Sequence, residues 1–252
     1  MREHEREKNI RGLVKGNFYH ILNRGVDKRN IFLDNKDYFR FIRDLFEFND
    51  TASPPNINYF FHKYSDIVHK YSDIASPNIP SPNIISKTRK RKLLVEILVF
   101  SLMPNHYHLL LRQKVKNGIS RFMKKLNMGY AKYFNEKNRR SGALFEGRYK
   151  SIDVTNEMHF LWLPYYIHCN PLDLKFPRWR GGNIEDYKEA VKFLESYRWS
   201  SHLDYLGKKN FPSVTQREFL MEIFGTAENY RKGFRRWLKD MELETKKNLL
   251  LE

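Results

Sequence analysis

The sequence predicts an α+β domain, an antiparallel or mixed sheet with helices packed on one face, and three observations predict it. The run KLLVEILVFSLM (92–103) alternates too little to leave one side wet, as a buried central strand does. KDYFRFIRDLFEF (36–48) and NGISRFMKKLNMGYAKYFNEKN (117–138) carry apolar residues at helical spacing. The order strand, helix, strand, strand, helix, strand, helix differs from that of a doubly wound nucleotide fold, and no GxGxxG or Walker pattern occurs.

Taken along the chain, NFYHILNRG (17–25) reads as a strand that ends in a turn at Gly25. Asp34 or Asn35 caps the helix at 36–48. The region 51–90 holds HKYSDI twice, at 62–67 and 69–74, among SPPNI and SPNI repeats. That composition describes a duplicated surface insertion, and the repeat accounts for His62 and His69 better than metal binding does. Pro104-Asn105 turns the chain into a further strand through LLL (109–111). The helix at 117–138 buries Ile119, Phe122, Met123, Leu126, Tyr130 and Phe134 and shows Arg121, Lys124, Lys125 and Lys132 on its other side. RRSGALFEGRYKS (139–151) is a basic loop returning as a strand, and NEMHFLWLPYYIHC (156–169) is a helix closed by Asn170-Pro171. Two short helices follow at 215–224 and 227–239, with Gly181-Gly182 as a boundary. The expected units are 12–177, which holds the insertion, and a helical C-terminal extension at 178–252.

Composition narrows the partner. Lys and Arg number 46 against 29 Asp and Glu, a net charge of +17, beside 15 tyrosines and 19 phenylalanines. Such a field attracts polyanions, and aromatic rings stack on exposed bases. Cys169 is the sole cysteine, which excludes an intramolecular disulfide and a multi-cysteine zinc site. No apolar run approaches bilayer length and the N-terminal segment is charged, so the expectation is a cytoplasmic protein with no membrane partner.

Chemistry concentrates in SLMPNHYHLLL (101–111). On a strand His106 and His108 share a face, where they suit a metal ion, a phosphate contact or a polar strand end. In YYIHCNP (165–171) Tyr166 and Asn170 lie four apart on one helix face. Two imidazoles and an amide oxygen form a partial, uncharged shell that leaves room for water and phosphate oxygens around Mg²⁺ or Mn²⁺. Tyr165, Tyr130 and Tyr133 compete with Tyr166 as the nucleophile. His20, His168 and His202 are read as packing residues.

MPNHYHLLL resembles the histidine–bulky–histidine (HUH) motif of the single-tyrosine HUH transposases, and the IS200-like branch associated with repetitive extragenic palindromes (REP) is the closest. GNFYHILNRG (16–25), NIF (30–32), YFN (133–135), GALFEGRYKS (142–151), YIHCNP (166–171) and YRWSSHLDYLG (197–207) extend the resemblance in the family's order. It implies a ferredoxin-like HUH domain with a central antiparallel sheet. It implies Tyr166 as the nucleophile that forms a 5′-phosphotyrosine with single-stranded DNA, and His106, His108 and Asn170 as metal ligands. Nicking and strand transfer would then act at hairpin or palindromic repeats without a nucleotide cofactor. The resemblance leaves a monomer and a homodimer open. A non-catalytic nucleic-acid-binding module and a metal-dependent nuclease without a covalent adduct are the alternative classes. Asn23, Arg24, Arg148 and Lys150 are the expected DNA contacts. Pro164, in the turn before Tyr166, removes the helix bond to Phe160 and is expected to kink the helix, which either aims the tyrosine or misplaces it.

Overall fold

A computed structural model describes residues 18–52, 91–182 and 184–240. Apart from Thr51 and Ala52, the 51–90 insertion lies outside the described residues, and His62 and His69 with it. Four strands, β1 (Phe18–Arg24), β2 (Val95–Met103), β3 (His106–Gln113) and β4 (Lys150–Asp153), form one sheet in the order β2-β3-β1-β4. Every pairing is antiparallel. Helix α1 (Asn35–Glu47) joins β1 to β2, and α2 (Gly118–Lys137) joins β3 to β4. That βαββαβ order on this sheet is the ferredoxin-like arrangement.

Local chemistry fixes the boundaries. Asp34 caps α1 by accepting the Asp37 amide at 3.1 Å, one of the two alternatives the sequence offered. Asn156 caps α3 (Glu157–Cys169) in the same way, accepting from His159 at 3.0 Å. Pro164 sits inside α3, which runs on through Tyr166 without a break.

Helices cover both faces of the sheet, not the one face expected. The reason lies in β3, whose alternate residues are buried on both sides. Tyr107, Leu109 and Leu111 join Ile21, Phe100, Phe41, Leu45, Phe122 and Leu126 under α1 and α2. Leu110, Phe18 and Leu98 join Phe160 and Leu163 of α3 and Leu220, Phe224, Tyr230 and Phe234 from the end of the chain. Two apolar faces each need a cover.

That second cover comes from α4 (Tyr187–Ser196), α5 (His202–Tyr205), α6 (Glu218–Phe224) and α7 (Ala227–Lys239). A buried polar stitch fixes it to α3: the Tyr230 hydroxyl lies 2.6 Å from His168 Nδ1 and 3.2 Å from His202 Nδ1. Ser201 Oγ meets His168 Nε2 at 2.8 Å. The chain also runs along the outer edge of β2. Leu102 donates its amide to Trp199 O at 2.9 Å, Ser201 donates to Phe100 O at 3.0 Å, and Gln216 donates to Ile97 O at 2.9 Å. Among the described residues no helix is long and apolar enough to cross a membrane.

Candidate active site

The strand period decides which side of the sheet each side chain meets. Tyr107 points away from its two histidine neighbours, stacks obliquely on Phe41 at 4.9 Å and donates its hydroxyl to Asn127 at 2.6 Å. His106 and His108 point toward α3, with ring centroids 5.0 Å apart. The rings of His108 and Tyr166 meet edge to face at 6.5 Å. One helical turn beyond Tyr166, Asn170 Nδ2 donates to the Tyr166 carbonyl at 3.0 Å. The structure therefore brings His106, His108, Tyr166 and Asn170 into one cluster.

The rival tyrosines are engaged elsewhere. Tyr130 donates to Ile31 O at 2.5 Å and Tyr133 to Asp37 at 3.0 Å, both from α2 on the opposite side of the sheet. Tyr165 stacks on Phe224 at 5.2 Å in the C-terminal cover.

Burial keeps the imidazoles neutral. It pulls His106 down to about 4, with Arg180 and Arg24 adding to the effect and Asp173 opposing it. His108 is held well below the usual range by burial, then by His106, His20 and Arg180. Neutral rings keep a lone pair for a metal. The neighbours also choose which nitrogen would bind. His106 Nδ1 lies 2.6 Å from Asn105 Oδ1, and His108 Nδ1 lies 2.9 Å from His20 Nε2. If each Nδ1 carries its proton toward those acceptors, Nε2 is the ligand atom of both rings. Asn170, whose Nδ2 is committed to the Tyr166 carbonyl, offers Oδ1 as an acceptor, and that oxygen takes an N–H of Arg180 at 2.9 Å. Two nitrogens and an amide oxygen suit a divalent ion that keeps further oxygen ligands. Among the described residues no three His, Cys, Asp or Glu side chains form a metal cage.

Sequence reading missed three parts of the cluster. His20, expected to be packing, sits behind His108, because the β1–β3 register pairs Leu22 with His108 and sets His20 diagonally beside it. Asp173 and Arg180 come from two 3₁₀ turns after α3, Asn170–Leu174 and Trp179–Gly181. Arg180 donates Nη1 to the Tyr166 hydroxyl and Nη2 to Asn170 Oδ1, the latter at 2.9 Å. Asp173 Oδ2 holds that Nη2 at 2.7 Å. Such turns lack a periodicity that would reveal them, although the run WRGG marks a bend.

The expected DNA contacts divide. Arg24 pairs with His106 across the strands and bridges to Glu146 at 3.0 Å at the mouth of the cluster. Lys150, exposed on β4, lies opposite Leu22, in the same row as His108. Arg148 is exposed in the preceding loop. Asn23 is buried on the α2 side; its Nδ2 donates to Gly147 O at 3.3 Å and its Oδ1 accepts from the Arg24 amide at 2.9 Å. It shapes the loop and is not part of the cluster.

No curated protein matches the chain. The chain is also similar in structure to one described as "Structure of the REP associates tyrosine transposase bound to a REP hairpin", at 10% identity and a TM-score of 0.39, over 79% of this chain and 85% of that one. Residues 82–170, the stretch that carries both motif histidines, Tyr166 and Asn170, match the family model described as transposase IS200 like.

Proposed function

We propose that this chain is a tyrosine transposase that cuts and rejoins single-stranded DNA through a 5′-phosphotyrosine on Tyr166. The observation that carries the reading is the convergence of a phenol, two neutral imidazoles and an oriented amide oxygen, drawn from β3 and α3. His106, His108 and Asn170 would hold Mg²⁺ or Mn²⁺. Such an ion neutralises a phosphodiester and makes its phosphorus more electrophilic.

The chain's own residues do the remainder. Tyr166 Oη forms the bond to phosphorus while the P–O3′ bond breaks and its electron pair leaves on O3′, which takes a proton. The phenolic proton passes to water. Rejoining reverses each step at a new 3′-hydroxyl, so one phosphodiester is exchanged for another and no nucleotide is consumed. Arg24, Arg148 and Lys150 contribute cations around the mouth, in keeping with the net charge of +17. A DNA hairpin or palindromic repeat is the proposed substrate.

Incubation of the chain with hairpin-bearing single-stranded DNA and Mg²⁺ tests this. A denaturation-resistant adduct is expected, absent in Tyr166→Phe and severely reduced in His106→Ala. An adduct formed by Y166F rejects the tyrosine assignment. DNA binding without an adduct under any divalent ion identifies a binding module, and turnover without an adduct identifies a nuclease.

A further inference from the structure

Tyr166 carries negative charge on its oxygen at two moments of the proposed reaction, as it attacks and again as it leaves. We propose that Arg180 is a catalytic residue that stabilises this oxygen in both steps, an inference that rests on the transposase reading above. It touches the reacting atom: Nη1 donates to Tyr166 Oη. Its second arm reaches Asn170 Oδ1 at 2.9 Å, so one planar fork sets both the nucleophile and the amide.

The fork is held in place before any substrate arrives. Asp173 Oδ2 takes Nη2 at 2.7 Å and Asp173 Oδ1 takes Nε at 3.3 Å, while Trp179 Nε1 donates to that same Oδ1. The guanidinium carbon lies 5.0 Å from the Trp179 ring centroid, whose ring is fully buried. A donor fixed this way needs no reorganisation when charge develops on the phenol oxygen. Arg180 lies beyond the 82–170 stretch that matches the family model, on a turn this chain builds after α3.

The balance is explicit. In cleavage the Oη–P bond forms and P–O3′ breaks. In rejoining O3′–P forms, P–Oη breaks, and the electron pair returns to Oη beside the Arg180 N–H. Without that cation the phenolate is a poorer leaving group.

The test measures release of Tyr166 from a preformed adduct challenged with a DNA 3′-hydroxyl, using the full chain. Arg180→Gln should slow release by on the order of 10²-fold, the effect of losing one fixed donor to a developing oxyanion. Replacing Tyr166 by 2,3,5-trifluorotyrosine, a better leaving group, should recover part of that loss. Arg180→Lys, which keeps the charge without the fork, should fall between. Should R180Q fail to fold, Asp173→Asn, which loosens the fork, should show a smaller loss with the same fluorine rescue. A variant adduct released at the unmodified rate overturns the inference, and so does a loss that fluorination leaves untouched. Absence of any adduct from the unmodified chain defeats the transposase reading itself.

Discussion

Acidification should unfold this protein through its buried imidazoles. His202, 1% exposed in the stitch between α5 and α7, is pulled from an ordinary 6.5 down to about 3, chiefly by burial. His20 is likewise pulled to about 3 and His106 to about 4. Below pH 6.5 the unfolded chain takes up protons that these folded rings refuse, so stability falls as pH falls toward the folded values. Between pH 7 and pH 5 each ring should cost about 2 kcal/mol, or about 6 kcal/mol for the three. Asp44, pushed up to about 6 by burial against the pull of Arg40, works in the opposite sense. It returns about 1 kcal/mol over the same interval. For these four groups together the balance is about 5 kcal/mol, a large share of a typical domain's stability. Guanidinium unfolding at both pH values and constant ionic strength measures it. His202→Gln should flatten the slope by about 1.4 kcal/mol per pH unit near pH 5. Equal stability at pH 7 and pH 5, within about 1 kcal/mol, would refute the reasoning.

Three further outcomes are expected. His20→Ala removes the ring nitrogen 2.9 Å behind His108 and should weaken the proposed Mn²⁺ binding by about 10–100-fold, measured by titration of the ion's paramagnetic signal. At Gly25 an added Cβ would lie 2.2 Å from Arg29 O and 2.9 Å from Ile31 Cγ2. Backbone cannot yield that space cheaply, so Gly25→Ala should cost about 1–3 kcal/mol in chemical denaturation. Asn156→Ala uncaps the helix that carries Tyr166 and should cost about 1 kcal/mol, read from the same unfolding curves.

The sequence exposes those parts of the site that follow a period. His106 and His108 face one way because strand residues alternate, and Tyr107 faces the other for the same reason. Tyr166 and Asn170 share a helix face because they are four apart. The helices at 36–48, 117–138, 156–169 and 227–239 lie within about a residue of the observed α1, α2, α3 and α7; three have an apolar stripe, and the one at 156–169, apolar nearly all round, is bounded by Asn170-Pro171. What stayed hidden depends on long-range register or on turns. His20 meets His108 across 88 positions of sequence, a pairing fixed only when β1 docks on β3. Arg180 and Asp173 reach Tyr166 from 3₁₀ turns, which carry no period of their own.

The strip of chain at Trp199–Ser201, with Gln216, has a bearing on assembly. An open strand border invites a neighbour, and here this protein has used its own backbone to occupy that of β2. Two copies that wished to fuse their sheets would have to meet along β4, only four residues long and carrying the exposed Lys150 and Asp153. In an antiparallel two-fold meeting Lys150 of one copy would face Asp153 of the other, so a four-residue ladder closed by two exposed ion pairs is all that such a seam would offer.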